Sequence, residues 1–160
     1  MKKWLLLILL LASNAYADLK IGVVDVNQIL QSSPLMISLN DNLTKKFKTR
    51  QDEINNASKA LQDEMTQLDT NGMSLKPDER TQLQNKILGD KANVQILTAS
   101  FERDLAIAKD EDFRTFMAKL SAVINKIAKD GTYDLIEQKT NMLFVNQRID
   151  ITAEVLKQLS

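Results

Sequence analysis

The densest set of side chains able to move a proton or hold a cation is Asp110-Glu111-Asp112, three carboxylates in succession. Neighbours on a helix point about 100° apart, so such a run cannot converge on one substrate and reads as a solvated face. The chain has no His and no Cys. That removes the Ser-His-Asp triad, the thiol nucleophile and the usual zinc ligand sets. Gly22 follows the start of an apolar run but has no second glycine near it, so neither a phosphate loop nor a dinucleotide fingerprint can be drawn. Ser33 and Ser74 suit cap and turn roles better than nucleophilic ones. Two glycosylation sequons, Asn42-Leu43-Thr44 and Asn56-Ala57-Ser58, fall in predicted helix and carry no message. The one dense basic run, Lys45-Lys46-Phe47-Lys48-Thr49-Arg50, fits an exposed helix face. These residues describe a binding protein, not an enzyme, with no catalytic, metal or cofactor site.

The elements that would position a binding surface are long. Between Pro34 and Gly131 the only backbone breakers are Gly72, Pro77 and Gly89. Two helices joined by one hairpin are predicted, with a tip at about 71–76 between a helix end at Asn71-Gly72, expected to be left-handed, and a new first turn at Pro77-Asp78-Glu79. Phe47, Ile54, Leu61 and Leu68 keep a seven-residue spacing, half of a coiled-coil seam. The positions three residues on, Arg50, Ala57, Glu64 and Asn71, fill the other half poorly. On the return helix Leu83, Ile87, Val94, Leu97, Phe101 and Leu105 recur at helical spacings; Gly89 is either a bend or a tolerated glycine in an exposed helix.

Length divides this hairpin further. At a rise of 1.5 Å per residue, Leu35 to Asn71 spans about 55 Å and Pro77 to Asp130 about 80 Å, so the return helix outruns its partner beyond roughly Phe113. Seven large apolar residues crowd that stretch: Phe113, Phe116, Met117, Leu120, Val123, Ile124 and Ile127. We therefore expect an arm over 35–112, and a body over 18–34 and 113–160 whose arm-base core is Phe113, Phe116, Leu120, Val123 and Ile127. In the body, Lys20–Val26 reads as a strand, and Tyr133–Ile136 with Met142–Val145 as a hairpin about Gln138–Asn141. Asp150 is expected to cap a terminal helix with Ile151, Val155, Leu156 and Leu159 on one face. The fold class is α+β, a long antiparallel helical hairpin on a small β body. Three short strands leave open edges, which invites closure by other copies of the chain.

The chain starts with Met1-Lys2-Lys3, an apolar run Trp4–Ala12 and Ala15-Tyr16-Ala17. This fits a secretory signal peptide over 1–17, cleaved between Ala17 and Asp18. The apolar run is too short to span a bilayer, so no stable membrane insertion is expected after cleavage. The remaining 18–160 carries 19 basic and 21 acidic residues, a formal charge of −2. Such a balance offers no field for nucleic acid.

Taken together, the opening Lys20-Ile21-Gly22-Val23-Val24-Asp25-Val26-Asn27, the charged hairpin, Tyr133-Asp134-Leu135-Ile136 and the ending 150–159, DITAEVLKQL, resemble the Skp/OmpH family of periplasmic chaperones. The likeness covers essentially all of 18–160, and the ending is its most specific part. The resemblance implies a homotrimer whose strands close a small shared β-barrel and whose arms enclose a cavity. In it, unfolded outer-membrane proteins would be held without ATP in the periplasm. On that model Ile21, Val23, Val24, Leu135, Ile136, Leu143 and Val145 build the shared body, with strand faces left open. Met65, Leu68, Met73 and Leu75 are the candidate client contacts, although for any one of them packing within the hairpin is the favoured reading. The family looks typically basic, whereas this chain is near neutral, so no lipopolysaccharide site is carried over. A coiled-coil adaptor that docks one specific periplasmic partner is the alternative.

Overall fold

In the computed structural model, which describes residues 19–159, the opening apolar run forms β1 (Ile21–Val24), with Val23 and Val24 buried. The expected leader and its cleavage point at Ala17 and Asp18 lie outside the described residues. The strand stops short of Val26 because Asp25 is a helix cap. Its Oδ1 accepts the Gln28 N–H at 2.9 Å and opens a short helix, α1 (Val26–Ser32), absent from the sequence expectation.

Pro34 begins α2 (Pro34–Asn71, 38 residues) and Pro77 begins α3 (Pro77–Asp130, 54 residues). Proline is tolerated in both first turns because the N–H it lacks has no intrahelical partner there. Glu79 adds to the second start by accepting the Lys76 N–H at 3.2 Å. Gly72 ends α2 at φ −58°, not in the left-handed conformation expected of Asn71-Gly72. Its N–H still reaches the Leu68 carbonyl at 2.9 Å, so the chain leaves by prolonging the helical turn. Helix α3 passes through Gly89 unbroken, in open space.

After α3 the chain forms β2 (Leu135–Gln138), parallel to β1 with Ile21 opposite Leu135 and Val24 opposite Gln138. The expected hairpin is not formed. Residues 139–141 make a 3₁₀ turn, and Met142–Val145 joins no ladder. Lys139 accounts for the turn: its Nζ lies 2.9 Å from Asp150 Oδ2 and 3.9 Å from Asp25 Oδ2, which carries the chain across the end of β1 instead of back along β2. β1 thereby lies between β2 and a single bridge at Asp150, where the Ile151 N–H donates to the Val23 carbonyl at 2.9 Å. The terminal helix, α4 (Thr152–Gln158), starts after Ile151, one residue later than expected, yet Asp150 Oδ1 still accepts the Thr152 N–H at 3.0 Å. Burial opposes the charge on Asp150, but the bonds from Thr152 and Lys139 outweigh it and hold the carboxyl below its usual range.

One core joins these pieces. Val24 of β1, Ile29 of α1, Phe116, Leu120 and Ile127 of α3, and Ile151, Val155 and Leu159 around α4 pack together, with Val123, Ile124 and Ile136 half-buried against them. Phe113 does not belong to it. This residue is 45% exposed, and Met117 is exposed beside it, because only the stripe through Phe116, Leu120 and Ile127 faces the body. The apolar run at the arm base is wider than the face this chain covers.

The end of α3 departs from the glycine rule in an instructive way. The Tyr133 N–H reaches the Ala128 carbonyl at 2.9 Å and the Thr132 N–H reaches that of Lys129 at 3.2 Å, the paired bonds of a Schellman ending. The left-handed residue such an ending needs is Thr132, at φ 52°, not Gly131. Gly131 answers a different demand. A Cβ there would lie 2.5 Å from the Tyr133 ring, which folds back over it beneath the Lys20 ammonium, 4.4 Å from the ring centre. A β-branched residue is strained in the left-handed region. Thr132→Gly is expected to stabilise the fold by about 0.5–1 kcal/mol, seen as a higher urea midpoint at unchanged slope, and Gly131→Ala to lower it.

Candidate functional site

The arm is held together by a mixed seam. Leu43 and Phe47 of α2 bury against Phe101, Leu105 and Ala108 of α3, with the Phe47 and Phe101 rings edge to face at 5.7 Å. Arg50, a position that looked poor for a seam, donates from its guanidinium to Asp104 Oδ2 at 3.0 Å and Ser100 Oγ at 3.3 Å across the hairpin. It also lies against both phenylalanine rings, at 5.8 and 5.9 Å. Arg103 and then Arg50 hold the Asp104 carboxyl below its usual range. Further out, Lys86 of α3 bonds Glu64 of α2 and Asp90 one turn on, which raises its pKa. Polar residues at the second seam positions are thus cross-hairpin partners, a pairing that opposite charges on the two predicted helices could have revealed. Being only partly buried and still screened by solvent, such pairs contribute specificity of register more than stability.

Of the basic run at 45–50, Lys48 pairs with Asp52 at 3.0 Å and Arg50 with Asp104, while Lys45 and Lys46 stay on the surface. In the acidic run Asp110 pairs with Arg114 at 2.8 Å. Among the described residues no group of acidic side chains is arranged to hold a metal ion, and no helix is long and apolar enough to cross a membrane.

Beyond the Arg50–Asp104 pair the seam thins. Ile54 is the last buried large side chain of α2, and Leu61, Leu68, Leu83, Ile87 and Val94 are only half-covered. There the two helices leave an open groove of about 900 Å³, running from Ser58 to Gly72 on one wall and from Arg80 to Ile87 on the other. Its apolar lining is Leu61, Met65, Leu68, Met73 and Ile87. Met73 is 97% exposed and Met65 is 53% exposed. Three of the four candidate contact residues, Met65, Leu68 and Met73, therefore share one groove, while Leu75 is half-buried in the tip turn outside its lining. The arrangement presents flexible apolar side chains with no group poised for bond chemistry. Methionine suits such a surface because its unbranched, polarisable side chain adapts to different partners.

At the body, Ile21, Ile136 and Val145 are half-buried, Val23 and Val24 fully so, and Leu135 and Leu143 are exposed. Leu143 and Phe144 stand out as adjacent bare apolar residues, at 110% and 82% exposure.

Comparison with known proteins accords with this architecture. The model of the family described as outer membrane protein (OmpH-like) matches residues 20–159. The chaperone protein Skp of Yersinia enterocolitica is 29% identical, and that of Escherichia coli strain K12 28% identical, each alignment covering 99% of both chains. Among solved structures, a putative outer membrane chaperone (OmpH-like) from Caulobacter crescentus superposes with a TM-score of 0.75 over 88% of this chain and 83% of its own, at 14% identity. A mostly helical chain with two long helices and a small strand pair is therefore the OmpH-like fold. With the family model matching from the first described strand to the last helix, the chain belongs to the OmpH-like outer membrane protein family, whose Skp members are chaperones and not enzymes.

Proposed function

We propose that this protein is an ATP-independent periplasmic holdase, binding unfolded outer-membrane proteins in a cavity between the arms of a homotrimer and keeping them from aggregating. The observation that carries this reading is the contrast within α2 and α3. Their inner ends are fused into a packed core, while their outer ends leave a methionine-lined groove open to solvent. A surface of that kind makes many weak, adaptable contacts, which retain an unfolded chain without imposing a structure on it. Export is supported by the leader-like first 17 residues, and independence from ATP by the lack of a phosphate-binding loop in the sequence. Self-association is supported by the exposed Leu143-Phe144 pair beside a two-stranded sheet.

The test is dilution of a denatured outer-membrane β-barrel into the purified mature chain. The client is expected to stay soluble at a small molar excess of chaperone, and aggregation at the same rate with and without the protein would sink the proposal. The adaptor alternative predicts the opposite pattern: one stoichiometric partner in a pull-down and no protection of diverse clients.

A further inference from the structure

We propose that Met65 and Met73 form a reversible oxidation switch in the arm-tip groove. The inference rests on the reading of that groove as a client-binding surface. Of the five methionines among the described residues, these two are the most exposed, and both line the same groove. Met36 packs against the body core, Met142 is half-covered beside the Lys139 turn, and Met117 sits at the arm base at 36% exposure. Accessibility and position therefore coincide at one place.

Thioether oxidation follows exposure. A sulfur lone pair attacks the O–O bond of hydrogen peroxide. One oxygen transfers to sulfur, the other leaves as water, and the thioether is oxidised by two electrons as the peroxide is reduced. A dithiol-dependent sulfoxide reductase reverses the step, releasing water and leaving a disulfide on the reductant. No cysteine in this chain competes for the oxidant.

The consequence follows from what surrounds the two sulfurs. Leu61, Leu68 and Ile87 supply the rest of the apolar lining between polar residues such as Gln62, Asp69, Arg80 and Gln84, so a sulfoxide at each methionine places strong dipoles on two of the five apolar positions that an apolar client segment could use. An apolar client segment laid there must desolvate them without a hydrogen-bond donor in return. The packed body contains neither residue, so the fold persists while the grip weakens.

Mature protein titrated with hydrogen peroxide, sampled by peptide mass spectrometry and assayed for client retention, tests the proposal. Met73 and Met65 are expected to convert several-fold faster than Met36 and Met142. Retention of a denatured outer-membrane β-barrel should fall at least threefold at full conversion of the pair and recover after treatment with sulfoxide reductase. Whatever client retention the double variant Met65→Leu, Met73→Leu keeps should be the same before and after peroxide. Equal conversion of Met36, unchanged retention by the fully oxidised wild type, or equal peroxide sensitivity of the double variant each overturn the switch while leaving the chaperone reading intact. Failure of the unoxidised protein to retain the client overturns both.

Discussion

Phe116→Ala is expected to destabilise the folded chain by about 3–5 kcal/mol, whereas Phe113→Ala, three residues earlier on the same helix, is expected to cost under about 1 kcal/mol. Phe116 is 0% exposed and touches the cluster that α1, β1 and α4 build around α3; Phe113 has no such surroundings within the chain. Removing the buried ring deletes its transfer free energy and leaves a cavity that short elements on several sides cannot collapse into. Against the 5–15 kcal/mol typical of a whole domain, a loss of that size leaves the body marginal. The arm depends on that body for support, since its own seam buries only Leu43, Phe47, Ile54 and Ala108. Urea titrations of the two variants decide the matter. Similar midpoints for both would mean that α3 does not face the body through Phe116.

Much of the arm was legible in the sequence because helix length is written locally, in the absence of Gly and Pro and in the prolines that open α2 and α3. The core stripe Phe116, Leu120, Ile127 was legible too, from its helical spacing. Phe113 was not, because local apolar density does not say which side of a helix other elements cover. Strand pairing was the least legible. β1 and β2 lie side by side in parallel although more than a hundred residues separate them, and nothing near either strand encodes that choice. The expected hairpin failed for a related reason: Lys139 read as a polar turn residue, while its role depends on Asp25 and Asp150, which only the fold brings to it. Thr132 illustrates a further limit, since a β-branched residue in a glycine's conformation contradicts the local rule that would have located it. In the groove, spacing singled out Leu68, and methionine chemistry singled out Met65 and Met73. That Ile87 joins them across the hairpin needed the register of the two helices.

Leu143→Glu combined with Phe144→Glu is expected to reduce the proposed trimer to a monomer, as read by light scattering or sedimentation. β2 pairs with β1 on one edge, and among the described residues its other edge has no ladder partner. The following segment, Met142–Val145, is not in a ladder and presents Leu143 and Phe144 bare to solvent, while Leu135 stands exposed on β2 itself. An open strand edge beside adjacent uncovered apolar side chains is a combination that soluble proteins cover. Covering a Leu or Phe side chain stabilises by about 1.5–3 kcal/mol, and a closed trimer repeats both burials three times, so the two substitutions act on six side chains at once. Charge placed there must be desolvated on association and faces like charge from the other copies. Leu88→Glu, an exposed apolar residue on the arm, is the control and should leave the mass unchanged. A wild type that sediments as a monomer ends the shared-body idea, and a double variant that stays trimeric moves the contact away from this segment.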